Sequence, residues 1–243
     1  MINFAHRGAS FDYPENTILA LKEGIKSGAN GLEIDVHKTK DNKLVVIHDE
    51  DEDVERTYLG KGLVKDLTLN ELRKLKNRKK LFRDNRECNI PTLEEVLGLI
   101  NGKDITLNIE LKTDEIHYKG IEEDVISLIN EYKLNNQIIL SSFNHNSIKI
   151  VKSLDSSIKT GILYDKPIED VIKYAKELDV DAIHPDLRFV SRELIEEAHE
   201  NNLKVNIYTV NMPIYMRLLI KNKADGLFTD YPELLSEILK EEI

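Results

Sequence analysis

The chain has 243 residues, 41% hydrophobic and 32% charged, which suits one large soluble domain with a sizeable core. Its 34 Lys and Arg against 44 Asp and Glu leave a formal charge of −10, a poor match for nucleic acid or an anionic membrane surface but no obstacle to a small anionic substrate held by local cations. A single cysteine, Cys88, excludes an intrachain disulfide; no apolar run approaches membrane-spanning length, and His6 follows Met1 too closely for a signal peptide, so a cytoplasmic location is expected.

Residues 2–5 read as a short strand that ends at His6. Ile18, Leu21 and Ile25 follow at helical spacing, with Asn16 or Thr17 placed to cap them. Next comes GLEIDVHK at 31–38, a strand in which Leu32, Ile34 and Val36 alternate with Glu33, Asp35 and His37. Strand side chains point to opposite faces with period two, so Glu33 and Asp35 share a face with the aliphatic residues behind them. Adjacent carboxylates repel and cost desolvation when buried, so a cation or a proton is expected between them. His37 extends that acidic face. A polar turn at 40–43 then returns the chain through the apolar run 44–47, a hairpin-like path that delivers His48 and Asp49 at its end.

Residues 50–90 interrupt the rhythm and read as a small insertion within the single domain 1–243. An acidic run and a Lys/Arg-rich run flank Thr68-Leu-Asn-Glu71, a capping box that opens a short helix with Leu69, Leu72 and Leu75. The charge runs read as solvated faces and Cys88 as a bystander. From residue 90 strands and helices alternate. Thr92-Leu-Glu-Glu95 opens a helix, and 105–112 is a strand with Asn108, Glu110 and Lys112 on one face. Helix 121–132, strand 138–141 and helix 147–154 follow. Further strand–helix pairs are expected at 160–163 with 167–178, 182–184 with 192–199, 205–208 with 212–220, and 226–229 with 232–239. Pro167 and Pro232 fall where a first-turn proline is tolerated. Eight such units in this length predict an α/β fold, a parallel sheet closed into a (β/α)8 barrel. No glycine-rich phosphate loop supports the doubly wound alternative.

Active groups of such barrels collect at the C-terminal strand ends. Those ends hold His6-Arg7, Glu33, Asp35, Glu110, Lys112, Ser142, His184, Tyr208, Asn211 and Thr229-Asp230. Glu33, Asp35 and Glu110 supply oxygen ligands for Mg²⁺ or Ca²⁺, without the Cys/His set that favours zinc. Arg7 and Lys112 supply fixed positive charge for a phosphate. Histidine is the side chain suited to moving protons near neutral pH, so His6 and His48 are the candidates for acid and base. His184, before Pro185, reads as support for a tight turn, and His117, His145 and His199 read as surface residues.

An ordered series of motifs adds a more specific signal: HRG at 6–8, PENT at 14–17, GLEIDV at 31–36, HD at 48–49, IPTLEEVL at 90–97, ELK at 110–112, SF at 142–143, HP at 184–185 and GLFTDYP at 226–232. In these motifs the chain resembles the glycerophosphodiester phosphodiesterase family over nearly its whole length. The resemblance implies a TIM-type barrel that hydrolyses glycerophosphodiesters to glycerol 3-phosphate and an alcohol. It makes Glu33, Asp35 and Glu110 the ligands of one divalent cation, His6 and His48 the acid–base pair, and Arg7 and Lys112 the phosphate contacts. YTVN at 208–211 stands where that family usually carries a tryptophan before TVN, so Tyr208 keeps an aromatic wall at the substrate but adds a hydroxyl on the alcohol side. The expected partner is a small glycerophosphodiester, with no nucleic acid and no stable membrane insertion.

Two competing functions remain. A lysophospholipase D or phosphatidylinositol-type phospholipase would act on lipid, against which stand the charge of −10 and the absence of an expected apolar or basic membrane helix. A non-catalytic phosphodiester-binding barrel would not need the two histidines.

Overall fold

A computed structural model of the chain describes residues 1–48 and 57–242. Its eight barrel strands are, in order, Ile2–His6, Gly31–Lys38, Thr106–Leu111, Ile138–Ser142, Lys159–Tyr164, Ala182–Pro185, Lys204–Ile207 and Gly226–Thr229. Each runs parallel to the next, and the first pairs with both the second and the eighth, so the sheet closes on itself. Helices Ile18–Lys26, Leu93–Ile100, Ile121–Tyr132, His145–Leu154, Val171–Glu177, Arg192–Glu200, Pro213–Lys221 and Pro232–Glu241 follow the strands in turn. The architecture is a TIM barrel.

A strand covered on both faces has no water-facing side, which is why the second strand is buried from Gly31 to His37 although it carries two acids and a histidine. Its aliphatic set, Leu32, Ile34 and Val36, packs outward with Leu107, Ile109 and Leu111 against the surrounding helices. The opposite set points into the barrel. At the bottom of the interior the rings of Phe4 and Phe228 stack at 4.6 Å, with Ile139 beside them. The His184 ring lies 5.3 Å from Phe228 and accepts a hydrogen bond at Nε2 from Asn206 Nδ2 (3.0 Å). This corrects the turn-supporting reading of His184: Pro185 is part of the strand, and His184 is a fully buried core residue that burial holds neutral, with its pKa lowered to about 3. Gly161 makes room for it, since a Cβ there would come within 2.5 Å of His184 Nε2. His145 and His199 are likewise structural. His145 bonds to the Tyr174 hydroxyl and the Leu163 carbonyl, and His199 pairs with Asp225 at 2.7 Å.

Helix starts follow the capping chemistry. Thr17 caps the first helix, and Thr92 with Glu95 closes a capping box. First-turn prolines are Pro213 and Pro232; Pro167 lies outside its helix. That helix opens only at Val171, because Asp170 sits at φ 47° and its carboxylate accepts from Lys173 N, which breaks the helical path upstream.

After the second strand, Leu44–Val46 returns antiparallel to it, with Val46 opposite Val36. Residues 57–90 add the antiparallel pair Tyr58–Leu59 and Lys76–Asn77 and the capped helix Leu69–Leu72. Tyr58, Val64, Leu72 and Ile90 pack on Val45 and Ile47, so this segment braces the run that leads to His48. It also reaches the first loop, where Lys79 Nζ donates to Tyr13 O (3.1 Å). The acidic run expected at 50–56 and Asp49 fall outside the described residues.

Candidate active site

A cavity of about 230 Å³ opens at the C-terminal ends of the strands. His6, Arg7, Glu33, His48, Glu110, Lys112 and Tyr208 all line it, together with Asn108 and Phe143. Strand register accounts for the convergence. Glu33 lies beside His6 on one side and Asn108 on the other, and Asp35 lies beside Glu110. Asp35 is 1% exposed and sits among these groups. Glu33, Asp35 and Glu110 each bring a carboxylate oxygen within 4.8 Å of the others.

The cations are already engaged. Arg7, in the left-handed backbone region at φ 57°, donates its N–H to Glu33 Oε2 at 2.9 Å. Its guanidinium reaches Glu15 Oε1 at 3.1 Å and Asp35 Oδ2 at 3.2 Å. Lys112 Nζ donates to Glu110 Oε1 at 2.8 Å and stands 4.0 Å from Asp35 Oδ1. Asn16 adds a hydrogen bond to Asp35 Oδ2 at 2.7 Å.

These contacts divide the three acids. Burial would raise Asp35, but Arg7, His48, Lys112 and the Asn16 hydrogen bond outweigh it and hold its pKa far below the ordinary carboxylate range. Burial and repulsion from Asp35 push Glu33 up to about 7, and burial with repulsion from Asp35 and Glu33 pushes Glu110 up as well. Among the described residues, Glu33 Oε1 and Asp35 Oδ1 are buried acceptors with no hydrogen-bond partner. Buried acceptors without donors, in a group of hard oxygen ligands, fit a divalent cation.

Behind His6 stands a carboxylate that the sequence placed at a strand end without a role. Asp230 Oδ1 accepts from His6 Nδ1 at 2.7 Å and from Ser10 Oγ at 3.0 Å, while Oδ2 accepts from Asn211 Nδ2 at 2.7 Å. Burial opposes its charge, but the His6, Asn211 and Ser10 bonds prevail and lower its pKa to about 2. An ionised partner on Nδ1 keeps the proton there and leaves Nε2, 4.0 Å from Glu33, facing the cavity. The remaining wall is aromatic, with Phe143 and Tyr208 edge to face at 5.8 Å. Among the described residues the Tyr208 hydroxyl has no hydrogen-bond partner.

Residues 6–234 match the glycerophosphoryl diester phosphodiesterase family. The chain is 42% identical to a glycerophosphodiester phosphodiesterase of Caldanaerobacter subterraneus subsp. tengcongensis, over 97% of this chain and 96% of that protein. The fold is similar to an Oleispira antarctica phosphodiesterase solved with the product sn-glycerol-3-phosphate, with a TM-score of 0.84, 28% identity, and coverage of 98% and 96% of the two chains. It is also similar to a glycerophosphodiester phosphodiesterase of Thermotoga maritima, with a TM-score of 0.78, 27% identity and 98% of both chains covered.

Proposed function

As the chain belongs to the glycerophosphoryl diester phosphodiesterase family, we propose that it splits glycerophosphodiesters into glycerol 3-phosphate and an alcohol, with His6 and His48 moving the protons beside a divalent cation, Mg²⁺ or Ca²⁺, held by Glu33, Asp35 and Glu110. The observation that carries the metal-assisted form is the pair of buried oxygens on Glu33 and Asp35 that have no hydrogen-bond partner among the described residues, beside the cavity that both histidines line.

When bound, the cation supplies Lewis-acid neutralisation of phosphoryl oxygen charge. Arg7 and Lys112 add fixed positive charge on either side of the acids and orient the diester. His6 is the base, because its Nε2 carries the free lone pair while Nδ1–H is held by Asp230. It takes the proton of the attacking hydroxyl as the new P–O bond forms; water gives glycerol 3-phosphate directly, whereas the neighbouring glycerol hydroxyl gives a cyclic phosphate that a water then opens. His48 is the acid, giving a proton to the alkoxide as the other P–O bond breaks. Phe143 and Tyr208 wall the alcohol side.

Lys112→Ala is expected to lower kcat/KM by a factor on the order of 10²–10³ at saturating metal, the scale of losing one preorganised charge-stabilising group. Lys61→Ala, which removes one equal charge from an exposed position in the 57–90 segment, should leave it within about twofold. Steady-state kinetics on glycerophosphocholine decide this. Equal losses would assign the lysines a diffuse electrostatic role and remove Lys112 from the site.

A second reading, in which the glycerol of the substrate carries an acyl chain, has one observation behind it. Met212, Ile214, Tyr215 and Leu218 are exposed at and along the helix Pro213–Lys221, so an apolar helix face stands where none was expected. No helix among the described residues is long and apolar enough to cross a membrane. Faster release from lysophosphatidylcholine than from glycerophosphocholine would establish the lipid substrate.

A further inference from the structure

His37 has a task beyond extending the acidic face. It is the next inward side chain of the second strand after Asp35 and is 0% exposed. Its Nε2 lies 3.3 Å from the backbone oxygen of His48, and its Nδ1 lies 2.9 Å from the hydroxyl of Tyr118. The two rings meet edge to face, 5.6 Å apart at 89°. Tyr118 is itself 6% exposed.

The chemistry of these partners orders the protons. A carbonyl only accepts, so Nε2 carries the hydrogen and donates to His48 O. Among the described residues no carboxylate accepts from the His37 ring, and a fully buried imidazolium without one is costly, so the ring is neutral. Its Nδ1 is then a lone pair and accepts from the Tyr118 O–H. Both hydrogen bonds run one way, from Tyr118 through His37 to the main chain of His48. Removing the phenolic donor would free the ring to take the other tautomer, which offers His48 O nothing.

The place of this relay gives it a purpose. The antiparallel ladder beside the second strand ends at Ile47, whose N–H donates to Asp35 O at 3.1 Å. One residue later the chain leaves the sheet, and the His37 ring donates to the carbonyl of the residue that carries the second imidazole. Tyr118 belongs to the loop that begins at Lys112, and its carbonyl accepts from Ile121 N at the start of a helix. The neighbouring Lys38 Nζ reaches the same loop at Lys119 O (3.0 Å) and the helix that follows it at Asp124 (2.5 Å). We propose that Tyr118 and His37 form a strut of positioning residues that fixes the main chain of His48, and with it the aim of the proton donor, from the loop that supplies Lys112. The proposal rests on the reading of His48 as a proton-transfer residue.

Two measurements test it together. In protein labelled with ¹⁵N in histidine, the His37 ring is expected as the Nε2–H tautomer, and the Nδ1–H tautomer would overturn the strut. Tyr118→Phe keeps the ring volume and removes only the donor. It should lower kcat by about tenfold with KM within about twofold, the scale of one lost hydrogen bond expressed in the transition state. Turnover within about twofold of wild type, or a loss that appears only with loss of fold by circular dichroism, would make the pair packing alone and end the proposal. The tautomer is read without substrate, so it judges the strut separately from the hydrolysis: an inactive wild type would strike the proposed function and leave His37 to be decided by its ring.

Discussion

Alanine at His6 or His48 is expected to cost a factor on the order of 10²–10⁴ in turnover on glycerophosphocholine, and the two variants should part company when the leaving group is changed. Choline leaves as a poor alkoxide and needs a proton in the transition state. A nitrophenyl oxyanion is already stable and needs little help. A variant that has lost the acid therefore regains most of its activity on a nitrophenyl phosphodiester, whereas one that has lost the base does not. On the proposed roles, with Asp230 holding the proton of His6 on Nδ1 and Nε2 left to accept, His6→Ala is expected to stay impaired on both substrates and His48→Ala to recover. The ratio of wild-type to variant turnover on each substrate is the measurement. Equal ratios for both histidines would contradict the assignment.

The second large effect concerns the acids, and its sign differs between neighbours. Metal-free folded protein holds a proton on Glu33 up to about pH 7, whereas an unfolded Glu releases it at its ordinary, lower value. The folded state thus binds more protons in that window, and the contribution of Glu33 to stability falls as pH rises through it. Glu110 acts in the same direction. A cation needs these groups unprotonated, so its stabilising effect should rise with pH. Melting temperature should therefore increase more on adding Ca²⁺ or Mg²⁺ at pH about 8 than at pH about 5. Glu33→Ala should abolish this gain yet leave the metal-free protein as stable as wild type or more so, because it removes a repelled carboxylate. Asp35→Ala should abolish the gain and also lower the metal-free melting temperature, since it strips Arg7 and Asn16 of a buried partner. Calorimetric scans of the three proteins settle the point. A cation gain that survives in either variant, or is the same at both pH values, would remove these acids from the site.

Much of this was legible in the chain because period-two alternation states which side chains share a face. Glu33 and Asp35, or Asn108, Glu110 and Lys112, are grouped as soon as their segments are read as strands, and eight strand–helix units suffice to close the barrel around them. What stayed hidden were contacts between residues distant in sequence. Asp230 could be placed at a strand end, but its hold on His6 depends on Ser10 and Asn211, which come from two other loops. The contrast between Asp35 and Glu33 was equally invisible, since it arises from Arg7 folding back from a left-handed backbone toward Asp35. His184 was misread because Pro185 suggested a turn, while in the barrel the proline continues a strand and the imidazole fills the space that Gly161 leaves. Asp49, offered by the sequence as a neighbour of His48, lies outside the described residues.

The central claim is that this cavity cleaves a glycerophosphodiester beside a divalent cation. It is tested most directly by following glycerol 3-phosphate released from glycerophosphocholine and glycerophosphoethanolamine, before and after exhaustive chelation and gel filtration. The predicted result is release from at least one substrate, lost on chelation and restored by Mg²⁺ or Ca²⁺. Full activity in the chelated protein would contradict the metal site, and no release under any of these conditions would contradict the function itself.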